Sequence, residues 1–392
     1  MRCVTRILLL AIAVCALGIT ALSAADEPKP AAAAPKGEPI RIGAVFSVTG
    51  GASWLGEPEQ NMVRMIEAEV NAQGGINGRP IEVIVKDVQT DETLTINAVK
   101  ELLRSNVVAI IGPSLSGPSM AVAPVCEEAQ VPLVSCAALE KIVEGKKWVF
   151  KIAPKDTHVV ERIYDHMKAK GTKKIAILSS TDGFGAGGRD TLKAKAKDYG
   201  IEIVADETYG AKDTDLTAQL TKVNAAGPEA IVNWSIVPAQ SLLMKKMKEL
   251  GIKTQLYQSH GFANLRFLQA AGDAAEGVLF PASRPLVVED LPADHPQKAI
   301  LVKLKKDYEA KYPGDTLSTF AGHGYDSLTL VLNACKAKSA TPKDIRDYIE
   351  SCQGFVGTAG TFNFSPEDHT GLTKDALEML TVKDGKFVIA PK

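Results

Sequence analysis

The sequence predicts an α/β protein of two lobes, each a parallel sheet wrapped by helices. Three observations carry that expectation. Of 392 residues, 45% are hydrophobic and 23% charged, the balance of a globular chain with enough apolar material for two cores. Short Val/Ile runs alternate with helix-length segments, the rhythm of consecutive β-α-β units. That rhythm runs to about residue 155 and then restarts.

The chain opens with a segment read as an export signal. Arg2 and Arg6 precede the apolar run Ile7 to Leu22, and Ser23, Ala24 and Ala25 supply small residues before Asp26. This is the pattern of a secretory signal peptide cleaved near Ala25, and it places the mature protein in the periplasm. Residues 26–39, DEPKPAAAAPKGEP, are too rich in Pro and Ala to pack a core and are read as a tether. Lys and Arg total 45 against 46 Asp and Glu, so the chain lacks the basic excess that a phosphate backbone demands, and nucleic acid is not an expected partner.

The first strand is expected over Ile40 to Phe46. Met62, Val63, Met65, Ile66 and Val70 then recur at helical spacing until Gly74 and Gly75 stop them. Strands follow at Ile81 to Val85, Val107 to Ile111 and Val131 to Val134, separated by helices over 94–104 and 118–129. In the second half, Ile175 to Leu178, Ile201 to Val204 and Ala230 to Trp234 repeat the pattern. Pro238 starts a helix there, Leu242, Leu243, Met247 and Leu250 form its apolar face, and Gly251 ends it.

Cys3 and Cys15 leave with the signal, so Cys126, Cys136, Cys335 and Cys352 remain, and four cysteines allow three pairings. Cys335 ends an apolar helical run, and Cys352 follows a helix opened by Thr341, Pro342 and Asp344. Two adjacent antiparallel helices would bring Cys335 and Cys352 together as a disulfide. Cys126 with Cys136, or free buried thiols, are the alternatives. The six histidines show no metal-ligand spacing, and neither a metal nor a cofactor is expected.

Two strings invite an enzyme reading. Gly183, Gly185 and Gly188 satisfy G-x-G-x-x-G after a strand, with Asp206 further on, the outline of a dinucleotide site. Ser179, Ser180, Thr181 and Asp182 separate the first Gly from the strand, which a dinucleotide turn does not allow. Ser116 stands where a nucleophile elbow needs its second Gly in GPSLSG. The expectation is a protein that is not an enzyme.

NAQGGINGRPIEV at 71–83, AIIGPSLSGPSMAVAPVCEEAQVPLVS at 109–135, FGAGGRD at 184–190 and AGDAAEGVLF at 271–280 together resemble the leucine/isoleucine/valine-binding proteins of branched-chain amino acid ABC transporters. The aromatic-acid-binding branch of that family is included. The resemblance covers residues 40–392. It implies the type I periplasmic-binding fold: two doubly wound, Rossmann-like lobes joined by a three-strand hinge, closing on a ligand. By that analogy lobe 1 comprises 40–155 plus 280–356 and lobe 2 comprises 156–279 plus 357–392.

Ligands of parallel sheets sit beyond the carboxyl ends of the strands. Ser114, Leu115 and Ser116 follow one such end and lead to Pro118 at a helix start. Unpaired N–H groups and the positive end of the helix dipole there suit a carboxylate. The alternative is N-capping by Ser116. The resemblance implies that Ser116 holds the ligand carboxylate, with the backbone of Ala137, Ala138 and Leu139 beside it. Leu139 stands where the family has Thr, which removes a hydroxyl. Trp54 and Leu55 match an apolar or aromatic wall, and lobe 2 offers Phe184, Ser235, Ile236 and His260. The amino-acid binders carry an acid where His260 stands, so the α-ammonium loses its partner.

The expected function is a solute receptor of an ABC importer. It captures a small aromatic or aliphatic carboxylic acid, or an amino acid, acts as a monomer, and docks on membrane permease subunits when closed. The alternatives are a branched-chain amino acid receptor proper and a ligand sensor not coupled to transport.

Overall fold

The computed structural model describes residues 34–391. The expected signal at 1–25, and residues 26–33 of the expected tether, lie outside the described residues.

The first half builds one sheet from β1 (Ile40–Phe46), β2 (Ile81–Asp87), β3 (Ala109–Ile111), β4 (Leu133–Ser135) and β5 (Val149–Lys151). The helices α1 (Ser53–Ala72), α2 (Glu92–Arg104) and α3 (Ser116–Ala129) connect them. The order is β2-β1-β3-β4-β5 and every neighbouring pair is parallel. Each helix lies across from a strand it follows because both carry a continuous apolar face. Met62, Val63 and Ile66 of α1 pack on Ile42, Ala44 and Phe46 of β1 in one buried cluster.

The second sheet is made by β6 (Lys174–Ser180), β7 (Glu202–Tyr209), β8 (Ala230–Trp234), β9 (Gln255–Gln258) and β10 (Leu279–Ala282). Its helices are α4 (Asp156–Ala169), α5 (Gly183–Ala196), α6 (Thr217–Ala225), α7 (Ala239–Glu249) and α8 (Leu265–Ala271). The chain then returns to the first lobe for α9 (Lys298–Lys311), α10 (Thr319–Ala337) and α11 (Pro342–Glu350), followed by a small antiparallel pair, β11 (Gln353–Val356) and β12 (Thr361–Asn363). The last two strands, β13 (Glu378–Lys383) and β14 (Lys386–Ile389), form an antiparallel hairpin on the edge of the second sheet, whose order is β14-β13-β10-β9-β8-β6-β7. That hairpin departs from the all-parallel expectation.

Core membership changes between Ile152 and Ala153, between Val287 and Val288, and between Ala376 and Leu377. The boundaries expected at 279/280 and 356/357 are therefore corrected. β10 pairs with β9 and β13 in the second sheet, so Phe280 packs with Phe262 and Phe387 there. Residues 357–376 stay in the first lobe because Phe362 and Phe364 stack on each other and Phe364 meets Phe150.

The proposed disulfide is also corrected. Cys335 and Cys352 are free thiols, as are Cys126 and Cys136. Cys335 is buried near the end of α10, whereas Cys352 stands beyond the last turn of α11 and is half-buried. The capping reading of α11 holds: Thr341 accepts from the Asp344 N–H, and Pro342 takes the first helical position. On α7, Leu243, Met244 and Met247 are buried while Leu242 and Leu250 are exposed, so the inward face is set one residue on from the expected one.

Candidate functional site

Between the lobes, the carboxyl ends of β3 and β4 face those of β6, β8 and β9. The cavity they enclose measures about 20 Å³ and is lined by thirteen residues: Leu55, Ser114, Leu115, Ser116, Cys136, Ala137, Ala138, Phe320 and His323 from the first lobe, and Phe184, Ile236, His260 and Gly261 from the second. Such a volume holds about one water molecule, so the lobes must part from this position to admit a ligand.

The two lobes touch around it. Trp54 meets Phe267 edge-on at 5.4 Å, the Asn264 amide donates to the Trp54 carbonyl at 3.1 Å, and Arg266 pairs with Glu57 at 2.9 Å. A Cβ on Gly183 would stand 3.2 Å from the Gly117 nitrogen, so the starts of α5 and α3 abut across the cleft. Leu55, Ala138 and Phe320 share one buried cluster with Phe184, Trp234 and Ile236. This is a closed arrangement.

On the first wall, α3 begins without a side-chain cap. Ser119 is the first residue of the helix to find a backbone acceptor, Leu115 O at 3.0 Å, and Pro118 has no N–H. The Ser116 and Gly117 N–H groups are thus left at the positive end of the helix dipole. Ser116 does not cap the helix: its Oγ accepts from the Leu139 N–H at 3.4 Å. Ser114 is committed elsewhere, since its Oγ accepts from Ser47 N–H at 3.2 Å and donates to Glu59. Burial pushes the Glu59 carboxyl up to about 8, against the lowering effect of the Ser114 bond.

Lys151, at the end of β5, is fully buried and donates to Ala153 O at 2.6 Å and Pro154 O at 3.1 Å. Burial pushes its ammonium down to about 8 while Asp156 and Glu140 push it back up. Burial likewise raises the Asp156 carboxyl, against the lowering effect of Lys151.

On the second wall, Phe184, Trp234 and His260 form an aromatic corner with centroid separations of 5.3 to 5.8 Å. His260 is 8% exposed and His323 4% exposed. Burial, then Lys151, lower both imidazoles to about 3, so both are neutral at physiological pH. None of their four ring nitrogens has a hydrogen-bond partner among the described residues.

Of the residues expected from sequence, Leu55, Ser114, Leu115, Ser116, Ala137, Ala138, Phe184, Ile236 and His260 line the cavity, and Trp54, Leu139 and Ser235 do not. Trp54 is turned to Phe267. Leu139 reaches over Gly187 at the lobe contact. Ser235 is turned inward, its Oγ accepting from Val237 N–H at 3.2 Å. The Ala137 N–H is taken by Ser135 Oγ at 3.1 Å, which leaves less free backbone in that loop than expected. Phe320 and His323 were not anticipated, nor were Cys136 and Gly261 as lining groups. The available signal was the string Gly322-His323-Gly324 inside a helix-length apolar segment: two glycines in a helix interior mark a close approach. A Cβ on Gly324 would fall 2.6 Å from the Glu59 carbonyl, so α10 is drawn against α1 with His323 between.

The dinucleotide outline dissolves in the structure. Gly183, Gly185 and Gly188 are inside α5, whose first amides are closed by Asp182, accepting from Phe184 N–H at 2.9 Å and Gly185 N–H at 3.1 Å. A Cβ on Gly188 would overlap Trp234, so this glycine serves packing. Asp206 is bound by Arg189 through bonds of 2.6 and 2.8 Å. Among the described residues no group of His, Cys, Asp and Glu could hold a metal ion, and no helix is long and apolar enough to cross a membrane.

The sequence model of the family described as "Periplasmic binding protein" matches residues 39–386. The chain belongs to the periplasmic binding protein family. This binding protein is 24% identical over 323 residues to the leucine-, isoleucine-, valine-, threonine- and alanine-binding protein of Pseudomonas aeruginosa, covering 80% of this chain and 82% of that one. An extracellular ligand-binding receptor from Rhodopseudomonas palustris HaA2 superposes with a TM-score of 0.84 at 30% identity, over 90% of this chain and 100% of that one. The branched-chain amino acid transporter substrate-binding protein LivJ from Streptococcus pneumoniae, solved with isoleucine, superposes with a TM-score of 0.79 at 28% identity, over 89% and 98% of the two chains. The binding-protein family and α/β fold expected from sequence are those found, and the relatives are solute-binding receptors.

Proposed function

We propose that this binding protein is the receptor of an ABC importer and captures a small carboxylic acid that lacks an α-ammonium group. One observation carries the reading: none of the thirteen cavity-lining residues is Asp or Glu, and neutral His260 stands on the wall opposite the α3 terminus. A buried ammonium with no carboxylate partner costs several kcal/mol. A carboxylate, by contrast, meets the Ser116 and Gly117 N–H groups and the helix dipole. Phe184, Leu55, Ile236 and Phe320 then receive the apolar body of the ligand. Aromatic and aliphatic acids fit that division.

Binding acts through closure. Because the cavity is completed by both lobes, a ligand stabilises the closed form by its differential affinity for that form. A membrane permease that recognises the composite outer face then receives only loaded receptor.

A second reading, a branched-chain amino acid receptor proper, is favoured by the isoleucine-bound relative at 28% identity. Thermal-shift screening separates the two. The first reading expects stabilisation by benzoate-type or short aliphatic acids and none by leucine, isoleucine or valine. Stabilisation confined to the amino acids would overturn it.

A further inference from the structure

We infer that the ligand carries a hydroxyl group remote from its carboxylate, and that His260 and His323, one on each lobe, bind that hydroxyl together across the closed cleft. The inference rests on the carboxylate reading above and names the ligand class more narrowly.

Both histidines are held in place by their surroundings. His260 opens a short 3-10 turn whose preceding Ser259 donates from Oγ to Ser235 O at 3.1 Å and accepts from Gly261 N–H at 3.3 Å. Its ring is then fixed between Phe184 and Trp234. His323 sits early in α10, which Ser318 caps by accepting from Ala321 N–H at 3.2 Å. Gly322 lies against Thr358 and Gly324 against Glu59, so the helix is clamped on both sides and the His323 ring is directed at the cavity it lines.

The chemistry of two neutral imidazoles selects the ligand group. Each offers one N–H and one lone pair, and leaving such groups buried without partners is unfavourable. An ammonium has donors only and would meet no compensating charge. A carboxylate has acceptors only and would face a lone pair on each ring unless protons were taken up, which burial and Lys151 oppose at both rings. A hydrocarbon end satisfies neither ring. A hydroxyl accepts from the N–H of one ring and donates to the lone pair of the other. Since the rings belong to different lobes, both bonds exist only when the lobes are closed, so the hydroxyl contributes directly to closure.

Calorimetric titration of the full mature chain tests this with two matched pairs: benzoate against its meta- and para-hydroxy forms, and butyrate against gamma-hydroxybutyrate. The expected result is that a hydroxylated member binds at least about 10-fold more tightly than its parent. In His323→Phe and His260→Phe, whose folding is checked by thermal melts, that preference falls to within about 2-fold. His323→Gln, which retains a donor and an acceptor, keeps part of the preference and covers the case in which the Phe variant does not fold. Titration in buffers of different ionisation enthalpy is expected to show no net proton uptake between about pH 6 and about pH 8. Equal binding within both pairs, a preference that survives in both Phe variants, or uptake of about one proton on binding would each overturn the inference. If parent acids bind without hydroxyl preference, this inference fails alone. If only amino acids bind, the carboxylate reading fails with it.

Discussion

Two helix starts meet across the cleft and have opposite chemistry. α5 begins behind Asp182, whose carboxylate accepts from Phe184 and Gly185 N–H groups, so its positive end is closed by the chain itself. α3 begins behind Leu115, which offers no side-chain acceptor, and its first amides stay available. The same local geometry thus gives a sealed terminus on one lobe and an open one on the other. Under the proposed function, which lobe holds the ligand's charge is decided by a single residue at the capping position.

That contrast can be erased most directly from the α3 side. Leu115 has extended backbone angles, φ −114° and ψ 149°, which suit a capping Asp. Leu115→Asp is expected to seal α3 as Asp182 seals α5, weakening carboxylate binding by about 3 kcal/mol or more without lowering the melting temperature of the free protein. Undiminished affinity by calorimetry would show that the ligand charge sits elsewhere.

The next effect concerns His323. Its pKa is depressed from 6.5 to about 3, chiefly by burial and then by Lys151. Below pH 6.5 the unfolded chain therefore binds the proton more readily than the folded one, and stability is lost as pH falls through that window. The contribution approaches about 1.4 kcal/mol per pH unit well below the unfolded value. Denaturation of wild type and His323→Phe at about pH 7 and about pH 5 should differ by roughly 2 kcal/mol in their acid loss, with the variant losing less. Parallel stability curves would contradict the buried neutral state.

Asp182→Ala sharpens the contrast from the α5 side. Unsealing that terminus is expected to cost about 1 kcal/mol of stability, while carboxylate affinity stays within about 2-fold because the ligand is held by α3. The smallest effect belongs to the rim. Arg266 and Glu57 are paired at 2.9 Å but both are substantially exposed, so Arg266→Ala should change affinity by less than about 0.5 kcal/mol; a larger loss would make the rim pair part of the closing energy.

The strand-end loops made one wall of the site legible in the sequence. Ser116, Leu115 and Ala138 follow short Val/Ile strands, and Phe184 and His260 follow others, so the topology rule for parallel sheets places them at the cleft. His323 and Phe320 could not be found that way. They sit in a helix that returns from the second lobe, and its contact with α1 is encoded only by Gly324 and its close approach to Glu59. Trp54, Leu139 and Ser235 were misplaced for a different reason. A loop fixes which residues come near a site, whereas side-chain direction depends on packing such as Trp54 on Phe267. The lobe boundaries had the same character, because β10 gives no local sign of which sheet it joins until its partners β9 and β13 are known.

The central claim is that the cleft takes a carboxylate and refuses an α-ammonium. The most direct measurement is a calorimetric titration of the purified protein with leucine and with isocaproate, its analogue without the amino group. The account predicts that isocaproate binds at least about 30-fold more tightly, the cost of an unpaired buried ammonium. Leucine binding as tightly as isocaproate, or more so, would contradict it.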